Sequence, residues 1–352
     1  VLPWAPDMTS ELRKRCGYDI QPFLPALVAD AGPRTPKVRH DFWRTIAELM
    51  EERFFAPIQK WCAAHGIASG GHALLEENIL HHVTLYGDLF RCFRRMDAPG
   101  IDCLSSAPEV PRYRSHAGMG ADVPWNAARL ASSAAELEGK RWVMCEVSEH
   151  IQRMANPPRR ITEDEFRGTY NRLLLGGINS FNTYSPFTET PDDAVRRLNE
   201  WVGRCCEMLN RGVRRADVAV LYPIETAWTR FTPSTLWVEQ TSAAARQVEE
   251  VLRGVADALF EARREFAYID TRTILEGRVE RGALRYGPHR WRVVVLPCTD
   301  TLPLAAWRKL EALQRSGGAV IACGALPVNS DAEFPSDDAR AIGRRLFGDA
   351  AP

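Results

Sequence analysis

The chain has no run of about eighteen uncharged apolar residues, so no segment reads as a membrane-spanning helix. It has no C-x-x-C pair, and of its nine cysteines only Cys205 and Cys206 are close neighbours. That spacing offers neither a zinc ribbon nor a disulfide scaffold, and the thiols are expected to be free and mostly buried. No G-x-G-x-x-G or G-x-x-x-x-G-K-[ST] loop occurs, which removes the fingerprints of dinucleotide and P-loop sites. Net charge is lacking as well: Lys+Arg 45 against Asp+Glu 45 speaks against a general binder of nucleic-acid backbones. No Met and no basic-then-apolar leader opens the chain at Val1, so the natural start is expected upstream and the compartment is left unassigned.

What remains is ordinary globular composition, with 45% hydrophobic and 26% charged residues in 352, enough chain for two domains. Phe42, Ile46, Leu49, Met50, Phe54, Ile58 and Trp61 recur at three- and four-residue steps, which predicts one long helix over 39–67 with these residues on its buried face. Gly66 supplies its stop. A second helix is expected over 76–93. Thr162-x-x-Glu165 has capping-box spacing and opens a helix that Gly176-Gly177 closes.

Four strands fall between these helices, near 67–72, 100–104, 141–146 and 177–184. At Gly212 the texture changes. Asp217-Val218-Ala219-Val220-Leu221-Tyr222-Pro223 is an apolar run suited to a strand buried on both faces. A helix over 236–264, strands at 266–270, 293–297 and 317–322, and a helix over 304–315 continue the alternation. Strand alternating with helix means parallel sheets in both halves. The first domain, 1–212, has half the eight strands a (β/α)8 barrel needs. It is therefore either an open sheet or part of a barrel. The second, 213–352, suits a small flavodoxin-like doubly wound fold.

Two acids stand out by position: Glu76, with Glu77 beside it, just past the strand ending at His72, and Glu146, which closes the strand from Arg141. Reactive groups in parallel sheets gather at the carboxyl ends of strands, and two carboxylates in one cleft can cleave a glycosidic bond. Forty-five acids would also place some at strand ends by chance. His72 is better read as a core or substrate-binding histidine than a metal ligand. His81 and His82, about 100° apart on a helix, do not easily share one ion. Trp43 and Trp61 read as core, and Trp125, in the irregular stretch 105–140, as the tryptophan that faces a cleft. Cys298 and Cys323 lack the two flanking glycines of a nucleophile elbow.

Further residues form a pattern. Pro3-Trp4, Gly17-Tyr18-Asp19, Arg39-x-Asp41-Phe42-Trp43, Gly71-His72-x-x-x-Glu76 and Pro99-Gly100-Ile101-Asp102-x-Leu104 occur in this order. Gly177-Ile178-Asn179 and Asp217 to Pro223 with Glu225 and Trp228 follow. Taken together the chain resembles glycoside hydrolase family 106, the alpha-L-rhamnosidase-like enzymes, over residues 3 to about 325. The resemblance implies the C-terminal half of a (β/α)8 barrel followed by an amidotransferase-like flavodoxin domain that is structural. It implies an inverting hydrolase acting on glycans, with Glu76 as general acid and Glu146 as base, and with calcium as an assisting ion. His72, Glu77, Asp102, Trp125, Asn179 and Tyr184 would meet the sugar, Tyr184 standing where relatives carry histidine. A beta-galactosidase-like hydrolase and a carbohydrate-binding protein without turnover are the alternatives. Because the first barrel strands are missing, the chain is expected to be part of a longer protein and a poor catalyst alone.

Overall fold

The computed structural model describes residues 2–106, 125–185, 187, 190–210, 212–234 and 241–348. The chain divides into two compact units. One comprises Phe55–Glu77 and Phe93–Val213, and the other Val1–Phe54, Asn78–Cys92 and Arg214–Pro352. The sequence boundary at 212–213 adjoins the break between Val213 and Arg214. The segments before Phe54 and around Asn78–Cys92, expected with the first domain, group instead with the C-terminal one. Aromatic packing accounts for this: Trp43 meets Phe231 edge-on at 5.5 Å and His40 meets Trp228 at 5.6 Å.

The first unit is built on four parallel strands, β1 (Gly70–His72), β2 (Ala98–Cys103), β3 (Met144–Val147) and β4 (Ser180–Thr183), in the spatial order 1-2-3-4. Side chains alternate along each strand. Ile101, Cys103, Cys145 and Val147 are fully buried. This face is covered by the helix Trp125–Leu137, which packs on β2, and by Glu163–Gly176, whose Tyr170 meets Phe181 edge-on at 4.8 Å. The two helices approach closely because Gly176 has no side chain: a Cβ there would stand 2.6 Å from that of Ala128. Asp102, Met144, Glu146 and Asn182 occupy the alternate positions, half-buried or exposed.

The capping box forms as the spacing predicts. Thr162 accepts from the Glu165 N–H at 3.2 Å, and Glu165 accepts from the Thr162 N–H at 2.8 Å. Gly177, at φ 100°, ends that helix. The long helix over 39–67 is instead Thr35–Met50, a π-turn Glu51–Phe55, and Ala56–Ala64. Pro57 has no N–H to continue the ladder, and a π-turn's extra residue rotates everything after it. The apolar stripe therefore splits. Phe42, Ile46 and Leu49 are buried, whereas Phe54, Ile58 and Trp61 are exposed, so Trp61 is not a core residue. The helix expected over 76–93 is likewise two, Ile79–Tyr86 and Leu89–Arg94, parted at Gly87. There φ is +72°, and a Cβ would meet the Ala47 nitrogen at 2.5 Å.

The second unit carries β5 (Val218–Leu221), β6 (Phe266–Ile269), three short antiparallel strands β7 (Arg278–Glu280), β8 (Ala283–Tyr286) and β9 (His289–Trp291), then β10 (Val293–Pro297) and β11 (Ala319–Cys323). Its parallel sheet runs β11-β10-β5-β6, the order of a doubly wound fold. Ala219 to Leu221, Phe266 to Ile269 and Val294 to Pro297 are buried, as the apolar runs require. The β7–β9 meander had no counterpart in the sequence reading. Its first turn is Arg281-Gly282, both with positive φ, which is hairpin-turn chemistry. Among the described residues no helix is long and apolar enough to cross a membrane.

Candidate active site

β1 ends on His72 and is followed by a tight turn. Gly71 has φ +150°, which side chains rarely adopt, and Leu75 is left-handed at φ 59°. This turn brings Glu76 to the end of β2, where only 2% of it is exposed and its Oε1 accepts from the Asp102 N–H at 3.2 Å. His72 Nδ1 lies 3.8 Å from the same oxygen. β1 and β2 come this close because Gly100 is bare: a Cβ there would stand 2.2 Å from Met144 Cγ and 3.0 Å from the Gly71 carbonyl oxygen.

Register places the remaining groups. Asp102 of β2 pairs with Glu146 of β3, and Glu146 pairs with Asn182 of β4. Adjacent strands are about 4.8 Å apart, so the three side chains form one row on one face, near the strands' carboxyl ends. Asn182 Nδ2 approaches Glu146 Oε2 at 3.5 Å. Asp102 is the middle link, with its N–H on Glu76 and its carboxyl in electrostatic reach of Glu146.

The electrostatics follow from burial and crowding of like charge. Burial, then the charges of Glu77 and Asp102, hold the Glu76 carboxyl well above the usual carboxylate range. Asp102 is raised mainly by burial; His72 and His150 oppose this and Glu146 adds to it. Its Oδ1 is buried without a hydrogen-bond partner. The arrangement thus offers a carboxylic acid that keeps its proton beside further carboxyls one strand away, which are the elements of general acid–base chemistry.

Of the residues singled out in sequence, His72, Glu76, Glu77, Asp102 and Glu146 lie on or next to this row. Tyr184 follows β4 and is 43% exposed. Asn179 stands apart at the amino-terminal end of β4. Its Oδ1 accepts from the Val143 N–H at 2.8 Å and its Nδ2 donates to the Arg141 carbonyl at 3.0 Å, so its side chain ties β3 to β4. Trp125 opens the helix Trp125–Leu137, and its side chain lies outside the described residues. Asn182 and His150 were missed. Period-two alternation from Ser180 puts Asn182 level with Glu146, but only once the β3–β4 register is known. Calcium would need several oxygen donors around one point. Among the described residues no group of three or more His, Cys, Asp or Glu side chains could hold an ion.

The fold of the chain is similar to that of several solved glycoside hydrolases. The chain is similar to a catalytic mutant of Gan42B, a family 42 beta-galactosidase from G. stearothermophilus, with TM-score 0.56 and 11% identity, over 90% of this chain and 48% of that one. It is also similar to an exo-carrageenase of family 42 from Bacteroides ovatus (TM-score 0.57, 12% identity, 90% of this chain and 45% of that one). A beta-galactosidase from the haloarchaeon Halorubrum lacusprofundi gives TM-score 0.57 and 13% identity over 91% and 50%. The chain therefore spans about half the length of these enzymes, and the likeness is one of fold. A search of curated proteins found no match. Over residues 1–351 the sequence fits the glycoside hydrolase family 106 pattern, alpha-L-rhamnosidase, and the chain belongs to that family.

Proposed function

We propose that this chain is the acid-bearing part of a glycoside hydrolase that removes a terminal alpha-L-rhamnosyl group from a glycan. The observation that carries the reading is the row Asp102–Glu146–Asn182 with the buried Glu76 hydrogen-bonded to its first member. Glu76, kept neutral, gives its proton to the glycosidic oxygen as the bond to the sugar breaks. Glu146, ionised, takes a proton from the water that attacks the sugar carbon from the opposite side, which inverts its configuration. His72, Glu77, Asp102 and Tyr184 supply hydrogen-bonding groups for sugar hydroxyls. The four sequential parallel strands, helix-covered on one face and acid-bearing on the other, fit the C-terminal half of a (β/α)8 barrel. The second unit is then structural.

The test is hydrolysis of an aryl alpha-L-rhamnoside and an aryl beta-galactoside by the 352-residue chain, alone and within a longer protein that carries it. Rhamnose release with inversion, followed by NMR of the fresh product, is expected in the longer protein, with little turnover by the chain alone. Galactose release without rhamnose release would overturn the substrate. Sugar binding without hydrolysis would overturn the enzyme.

A further inference from the structure

Glu146 is ringed by groups from every neighbouring element. Asp102 faces it from β2 and Asn182 from β4. His72, the last residue of β1, and Glu76 beyond it reach it through Asp102, and His150, which opens the helix His150–Met154 after β3, acts on the same aspartate. Asn182 directs an N–H at the Glu146 carboxylate, Nδ2 to Oε2 at 3.5 Å. A like charge, Asp102, stands on the opposite flank, so a donor from the β4 side favours an ionised Glu146. Asn182 is also exposed, so the second half of its amide is open to a ligand.

We propose that Asn182 is a positioning residue of the reaction: its amide N–H orients and stabilises the ionised Glu146, while its carbonyl oxygen accepts from the attacking water or a sugar hydroxyl. The inference rests on the reading of Glu146 as the base. A bond of 3.5 Å in the free protein is long, and such contacts tighten when substrate fills the site. A bystander asparagine on a strand would affect fold only.

The two possibilities separate in the titration of the Glu146 carboxyl, read by carbon NMR on glutamate-labelled full chain, in wild type, Asn182→Ala, Asn182→Asp and Thr183→Val. Thr183 lies on the same strand, pointing the other way, and donates to the Val147 carbonyl at 2.9 Å. Its loss loosens β4 without touching Glu146. Asn182→Ala should raise the Glu146 titration by about half a pH unit or more, and Asn182→Asp, which adds a like charge at the same place, by more. Thr183→Val should leave it in place. In the hydrolytic protein, Asn182→Ala should lower kcat about tenfold with KM within about threefold, and move the acidic limb of the rate profile to higher pH. An unmoved Glu146 in both folded Asn182 variants, or an equal shift in Thr183→Val, overturns the proposal. Asn182→Asp is nearly isosteric and keeps the test open if the alanine variant does not fold. A Glu146 shift without glycoside hydrolysis by wild type would retain the Asn182–Glu146 coupling and sink the glycosidase reading instead.

Discussion

The two parallel sheets of this protein treat their carboxyl ends in opposite ways. At the end of β1–β4, acids crowd together: Glu77 and Asp102 act on Glu76, Glu146 acts on Asp102, and Asp102 Oδ1 is buried without a hydrogen-bond partner. At the end of β5, β6, β10 and β11 most polar groups are taken up by the chain itself, with Glu225 Oε2 and Thr271 Oγ1 the buried atoms left without a hydrogen-bond partner among those that follow β5 and β6. Tyr222 bonds His82 Nδ1 at 2.9 Å, and the Thr226 hydroxyl accepts from the Asp300 and Thr301 N–H groups, both at 3.1 Å. Asp270 caps the following helix by accepting from the Thr273 N–H at 2.9 Å. Cys298 does sit on left-handed backbone, φ 42°, as an elbow nucleophile would, yet it is fully buried and held by Arg230 at 3.1 Å, with Arg230 itself paired to Asp300. The same end of the same kind of sheet is crowded with acids in one unit and largely hydrogen-bonded within itself in the other. Uncompensated polar groups cost stability, so where they persist, function is the better explanation.

The contrast can be broken first by removing charge from each end. Glu146→Gln and Glu76→Gln should each lower rhamnoside hydrolysis by a hundred- to ten-thousand-fold, on the order expected for a general acid or base. Steady-state kinetics with circular dichroism as a fold check measures it. Replacing both Cys298 and Cys323 by Ala should leave turnover within about twofold, and a large loss with the fold intact would reopen the second unit as a site.

A smaller effect sharpens the same contrast through stability. Glu225, in the second unit, is fully buried, and burial raises its carboxyl from 4.5 to about 8. Its folded value lies above its unfolded one, so its contribution is full below about pH 4.5 and is lost as pH rises toward about 8. Glu225→Gln should therefore gain on wild type by on the order of 3 kcal/mol in unfolding free energy between pH 5 and pH 8. Urea titrations at the two pH values would show it, and a constant difference would contradict it. In the first unit, Gly100→Ala should cost about 1–3 kcal/mol through its clash with Met144. The least effect expected is that of Thr162→Ala, about 1 kcal/mol for the lost cap.

Much of this was legible beforehand, unevenly. The capping box at Thr162 and the apolar strands from Val218 onward were readable because local pattern alone decides them. The acids Glu76 and Glu146 were readable as strand-end groups. What failed depended on tertiary detail. The π-turn at Glu51–Phe55 shifted the stripe that Trp61 belonged to, by one residue that no periodicity count sees. Asn179 and Asn182 lie three residues apart on one strand, and only the pairing of β3 with β4 shows that Asn182 meets Glu146 while Asn179 fastens the far end. Asp102 as the link between two acids likewise needed the β1–β2 approach that Gly100 permits.

The central claim is that burial and neighbouring carboxyls hold the Glu76 carboxyl well above the ordinary glutamate range. Carbon NMR titration of glutamate-labelled protein, with Glu76→Gln and Glu146→Gln used to assign the two carboxyl signals, tests it directly. The expected result is a Glu76 signal that titrates well above the ordinary glutamate range. A Glu76 carboxyl titrating within the ordinary glutamate range would contradict it.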